Sequence, residues 1–120
     1  SLKHNLDAAL NAGAKVDALY ATGGSANSIL WTQIKSDITG KKIIVPSSDT
    51  STMMGAALLA GVGVGVYKDF KDAVIKTVKV TRNHEPDMEK HKKYKKFYDI
   101  YIALYNNLKG VMNKKWEDQK

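Results

Sequence analysis

Two adjacent glycines, Gly23 and Gly24, are followed by Ser25, Asn27 and Ser28 in the stretch ALYATGGSANSILWTQI, residues 18–34. A short apolar segment leads into them and a helical pattern leads out. Paired glycines admit positive φ and leave room for a ligand to approach the backbone. The free N–H groups of the next helical turn, with the helix dipole, favour an anion such as a phosphate. Ser25, Asn27 and Ser28 add side-chain donors or cap the helix. The competing reading is a plain strand-to-helix turn with an N-cap, which the local residues alone favour. The lysine and spacing of a P-loop are missing, and so is the third glycine of a dinucleotide fingerprint.

Other candidates are weaker. Gly61, Gly63 and Gly65 in AGVGVGVY are spaced GxGxG and follow a helix, where a nucleotide fingerprint follows a strand. Close packing and a helix C-terminus account for them. Tyr94, Phe97, Tyr98, Tyr101, Leu104, Tyr105, Leu108 and Met112 form one stripe at spacings of three and four. Lys92, Lys93, Lys95 and Lys96 lie mostly off it, so the stripe is read as core and the lysines as a solvated face. Aromatics interleaved with lysines are also the pattern of a single-strand nucleic-acid surface, which their segregation argues against. His4, His84 and His91 are scattered without acidic partners at metal spacing, so no metal site is assigned. Asp37, Asp49 and Asp87 are each read as a cap or surface group rather than a general base.

The elements that must position these residues follow from periodicity. NLDAALNAGAKV places Leu6, Ala9, Leu10 and Ala14 at helical spacing, with Gly13 as a stop. VDALYATG is a short buried strand. Ile29, Leu30, Ile34 and Ile38 share a helical face with Trp31 at its edge, and Gly40 closes that helix. KKIIVPSSD is a second strand ended by Pro46. TMMGAALLAGVGVGVY fits a helix pressed closely against a sheet, DFKDAV a short helix, and KTVKVTRNHEPD an extended segment. From Pro86 to about Met112 the helical pattern is unbroken. This alternation predicts α/β layering with crossover connections and parallel strands. Two or three strands make a poor sheet alone, so we expect a piece of a larger α/β domain.

Composition sets the outer limits. The 120 residues are 43% hydrophobic and 26% charged, a globular profile and not a disordered one. There is no cysteine, which excludes disulfides, thiol catalysis and thiolate metal sites. No span predicts a membrane crossing and the N-terminus has no signal-peptide core, so a cytoplasmic location is the default expectation. The net charge of +7 is uneven: residues 1–75 carry seven Lys and six Asp/Glu, residues 76–120 twelve Lys/Arg and six Asp/Glu. The excess belongs to the C-terminal segment.

Taken together, YATGGSANSILWTQIKSDITGKKIIVP and TSTMMGAALLAGVGVGVYKDF resemble the C-terminal domain of the FGGY carbohydrate kinases, closest to the xylulokinase-like members. The specific parts are GG–x3–S–x2–W–x–Q–x3–D from Gly23 to Asp37, Pro46, and GAALLAG–x–G–x–G from Gly55 to Gly65. The resemblance covers nearly all of residues 1–120 and implies an α/β, actin-like (ribonuclease-H-like) C-terminal domain, partial here, with a long C-terminal helix. It implies transfer of the γ-phosphoryl group of ATP, with Mg²⁺, to a hydroxyl of xylulose or a related sugar or polyol. Gly23, Gly24, Ser25, Asn27 and Ser28 would then meet the adenine nucleotide, and Trp31 and Gln33 would pack the helix on the sheet. No catalytic or metal-binding residue falls in this chain, because the family places them, and the sugar-binding domain, upstream. Thr50, beside Asp49, departs from the acid that many members carry there. The implied partners are the nucleotide and, through the absent domain, the sugar, with no nucleic acid and no membrane. Self-association through exposed apolar surface is expected. The rivals are a stand-alone nucleotide-binding regulatory module and, behind it, a basic nucleic-acid-binding domain.

Overall fold

A computed structural model describes residues 2–47 and 51–117. The order is α1 (Leu2–Asn11), β1 (Ala18–Tyr20), a 3-10 turn (Gly24–Asn27), α2 (Ile29–Thr39), β2 (Lys42–Pro46), α3 (Ser51–Gly63), α4 (Phe70–Thr77), β3 (Val80–His84) and α5 (Met88–Glu117). Thr50 and Asp49 lie outside the described residues. The helix stops act as expected. Gly13 and Gly65 take φ of 92° and 78°, and each closes its helix with the paired hydrogen bonds of a Schellman turn, Ala14 N to Ala9 O and Val66 N to Gly61 O among them. Gly40 ends α2 at φ 67°, its N–H returning to the Ser36 carbonyl.

The three strands form one sheet in the order β1-β2-β3. β1 and β2 are parallel, joined by the α2 crossover, with Leu19 beside Ile43. β3 corrects the all-parallel expectation: it runs antiparallel to β2, pairing Arg82 with Val45 and His84 with Ile43. Two helices separate β2 from β3, so the chain re-enters at the end where β2 finished, and Ser47 N bonds Lys79 O. Paired residues share a face of the sheet. Ile43 and Val45 are buried there with Ala26, against Leu19 and Ala21. α2 covers this face and touches α1 and α5 on its other sides. On the opposite face Tyr20 is 68% exposed.

Three packing expectations are corrected. α3 is not pressed on the sheet: its neighbour is α4, and Gly55 and Gly63 have open space where a Cβ would stand. Gly61 alone is close-packed, against the Tyr67 ring. The aromatic stripe of α5 is only partly core. Tyr94, Tyr98 and Tyr101 are half-buried, whereas Phe97 is 69% exposed and Leu104, Leu108 and Met112 are also exposed. Helix length explains this: α5 has 30 residues, about 45 Å at 1.5 Å each, while α1 and α2 have 10 and 11 and cannot cover it. Finally, Trp31 is 48% exposed and points away from the sheet, lining an apolar cavity of about 390 Å³ between α1, α2 and α5.

Candidate functional site

The candidate turn sits at the carboxyl end of β1, where ligands of open α/β sheets gather. Gly23 has φ 79° and ψ 177°, a conformation essentially reserved for glycine, and nothing lies within 4 Å of where its Cβ would be. Its carbonyl accepts from Ala26 N at 2.9 Å, closing the 3-10 turn. Gly24 also has open space around it. Ser28 is extended and caps α2, its Oγ accepting from Trp31 N at 3.2 Å and its carbonyl from Thr32 N at 3.0 Å. Ser25, Asn27 and Ser28 are exposed, so the five residues singled out from sequence form one continuous rim. Two cations flank it. Lys35 Nζ, held over the Trp31 ring, donates to Ser25 Oγ at 3.3 Å, and Arg82 Nη2 donates to the Ala26 carbonyl. With the positive end of the α2 dipole, this turn can hold an anion.

Beneath the turn runs a polar seam between α2 and β3. Gln33 Nε2 donates to Asp37 Oδ1 at 2.8 Å and to the Glu85 carbonyl at 2.9 Å. Its Oε1 therefore accepts, and His84 Nδ1–H donates to it at 3.0 Å. That leaves His84 Nε2 as an acceptor for Arg82 Nε at 3.2 Å, with Thr32 Oγ1 3.0 Å away. Burial keeps the His84 imidazole below its ordinary pKa, the Arg82 charge adds to this, and Asp37 opposes it. Asp37 is 2% exposed and accepts a second bond from Asp87 N at 2.9 Å. It is neither a cap of its own helix nor a surface group, contrary to expectation, because β3 and α5 close over it. Gln33 packs as expected in direction, but through hydrogen bonds.

The remaining candidates are structural. Asp87 caps α5, accepting from Glu89 N and Lys90 N, as read from sequence. His91 donates from Nδ1 to the Asp37 carbonyl at 2.8 Å and its ring rests on Gly40. His4 packs edge-on against Tyr101 and Tyr105. Among the described residues no group of three or more His, Cys, Asp or Glu could hold a metal ion. No described helix is long and apolar enough to cross a membrane. Sequence reasoning missed Lys35 and Arg82. The signal for Arg82 was slight: it is the only arginine in the chain, two residues before His84 on a strand.

Residues 1–64, which hold β1, the turn, α2 and β2, match the C-terminal domain model of the FGGY family of carbohydrate kinases. The chain belongs to this family. An autoinducer-2 kinase from Salmonella paratyphi B is 33% identical over 101 residues, 84% of this chain and 19% of that protein. The chain thus spans about a fifth of the length of that curated relative. Among solved structures, a xylulose kinase from Lactobacillus acidophilus aligns over 84% of this chain and 20% of its own at a TM-score of 0.76 and 23% identity. A xyloylose kinase from Brucella ovis aligns over 92% of this chain and 23% of its own, at 0.78 and 26%. The architecture is therefore the α/β, actin-like one of these FGGY kinases, in part, with its long C-terminal helix.

Proposed function

We propose that residues 1–120 form the adenine-nucleotide side of the cleft of an ATP-dependent sugar kinase. On this reading they are the C-terminal part of its nucleotide-binding domain, and the parent phosphorylates a hydroxyl of a pentulose such as xylulose, or of a related sugar or polyol, in the cytoplasm. Supporting it is the FGGY kinase match across Gly23 to Ser28. The observation that carries it is Gly23, held at φ 79° at the carboxyl end of β1 and directly ahead of α2, with open space around it. Gly23 and Gly24 would let nucleotide phosphates approach the backbone, and Ser25, Asn27 and Ser28 would contact the nucleoside or ribose. Lys35 and the α2 dipole would supply positive charge. Bound ATP with Mg²⁺ supplies the phosphoryl group and neutralises its charge. This chain's own share is to position the nucleotide. Phosphoryl transfer needs positioning and charge stabilisation from both sides of a cleft. The base, the phosphate-binding loops and the metal-holding acids would lie upstream, outside these residues, so the chain alone is expected to be inactive.

Titration with MgADP followed by amide NMR tests this reading. Shifts concentrated at Gly23 through Ser28 support it. Shifts absent there, both in this chain and in a longer product of the same gene, refute it.

A further inference from the structure

We propose that Arg82 is the positioning residue of the Gly23–Ser28 turn: its guanidinium, oriented by His84, fixes the Ala26 carbonyl and so sets the shape in which the turn meets an anion. The benefit to nucleotide binding rests on the function proposed above; the clamp itself does not. Arg82 and His84 are two apart on β3 and face the same side of the sheet as their partners Val45 and Ile43. Arg82 therefore reaches across the sheet from the edge strand to a turn that follows β1. Both ends of its fork are committed, Nη2 to the Ala26 carbonyl and Nε to His84 Nε2 at 3.2 Å.

Ala26 is the point on the turn where holding matters. It is 2% exposed, seated on Ile43 and Val45, and its N–H already closes the turn on Gly23 O. Its neighbours Gly24, Ser25 and Asn27 are exposed, and two adjacent glycines leave the backbone many alternatives. Arg82 supplies the second tie. His84 can orient it only while Nε2 is unprotonated, and Gln33 enforces that tautomer through Nδ1. The groups facing the ring are Thr32, Gln33 and Asp37 from α2 and Arg82 from its own strand. From beyond the strand end, Glu85 offers its carbonyl to Gln33 while its carboxylate pairs with Lys42 on β2 at 2.7 Å. Just ahead of α5, Asp87 meets this cluster through its N–H, which donates to Asp37, while its carboxylate caps the helix.

The Ala26 carbonyl-carbon shift and amide exchange across the turn read the clamp with no ligand present. In the full chain, Arg82→Met is expected to move the Ala26 signal and speed turn exchange about tenfold, with the β1–β2 amides unchanged. MgADP binding should weaken about tenfold, the loss of one charge-assisted bond. Arg82→Lys should match Arg82→Met, because an ammonium keeps the charge but not the fork. In the wild type, acidification should displace the Ala26 signal with the midpoint of the His84 ring's own titration, a readout that stands even if the variants do not fold. An Ala26 signal that ignores the His84 titration overturns the proposal, as does one unmoved by either substitution. If Ala26 responds as expected and neither this chain nor a longer product of the same gene binds MgADP, the nucleotide reading fails and the clamp stands. If the wild type binds and Arg82→Met binds equally well, positioning for the ligand is refuted.

Discussion

Gly23→Ala and Gly24→Ala separate the shape of the turn from its use. At φ 79° and ψ 177°, Gly23 occupies a region that costs a residue with a Cβ on the order of 1–3 kcal/mol. No atom lies within 4 Å of the added methyl, so the cost is backbone strain and not a clash. For a chain of 120 residues, an unfolding entropy of about 2.1 cal/mol/K per residue converts this to a melting-temperature loss of about 4–12 °C. Gly24 opens the 3-10 turn without a positive φ, and its surroundings are equally open. Alanine there should leave stability unchanged or raise it by about 0.4–1 kcal/mol through the unfolded chain. If a phosphate approaches this backbone, Gly24→Ala should nevertheless weaken MgADP binding. Thermal melts of both variants and MgADP titrations of the wild type and Gly24→Ala decide the matter. A Gly23→Ala protein as stable as wild type refutes the strain argument. A Gly24→Ala protein that binds MgADP as the wild type does refutes the close approach of the ligand.

Other perturbations probe the frame around the turn. Asp37→Ala orphans the donors of Gln33 and Asp87 and should destabilise by about 2–4 kcal/mol, with amide exchange rising first at the start of α5. His84 has a folded pKa below its unfolded value of about 6.5, so its contribution is full above that pH and is lost as pH falls from there through the folded value; His84→Gln should flatten the slope of urea stability against pH on the acid side of 6.5. Tyr98 donates to Asp7 Oδ2 at 2.7 Å, and burial followed by that carboxylate pushes its pKa up to about 12. Its contribution is therefore full below pH 10 and lost as pH rises toward 12, and tyrosinate absorbance should show one late-titrating tyrosine that vanishes in Tyr98→Phe.

The turn was legible because its signals are local: two glycines, a capping serine and a flanking helical period are read without knowing what lies across the sheet. The family blocks were legible for the same reason, since fixed spacings within a segment survive without tertiary knowledge. What escaped depends on partners far away in the chain. Asp37 looks like any polar residue late in a helix until Gln33, His84 and the Asp87 amide surround it. Arg82 sits among exposed β3 residues and acquires a role only because β3 turns antiparallel and lays it beside Val45. That reversal depends on how α3 and α4 bring the chain back to β2, which no periodicity encodes. Trp31 misled because an aromatic at a helix edge serves a sheet or a neighbouring helix equally well, and α1 and α5 claimed it.

The surface has a consequence for how the chain behaves in solution. Its radius of gyration is 18.9 Å, against about 14 Å for a compact domain of 120 residues. Among the described residues the fully buried apolar side chains are few: Leu6, Ala26, Ile43, Val45 and Ala73. Phe97, Ile100, Leu104 and Leu108 instead run exposed along α5, and Met53 and Leu59 along α3. An apolar stripe of this length gains more from a protein surface than from water, at about 25 cal/mol per Å² covered. Within a sugar kinase the rest of the polypeptide would supply that surface; alone, the chain must find it in a second copy. Sedimentation over a hundredfold dilution is therefore expected to show concentration-dependent association. Leu104→Glu with Leu108→Glu should abolish it while the amide spectrum of the Gly23–Ser28 turn stays unchanged, because both positions are exposed and neither lines the cavity that Trp31 and Lys35 share. A chain that sediments as a monomer at every concentration would mean the stripe is tolerated in water, and the case for a covering surface would fall with it.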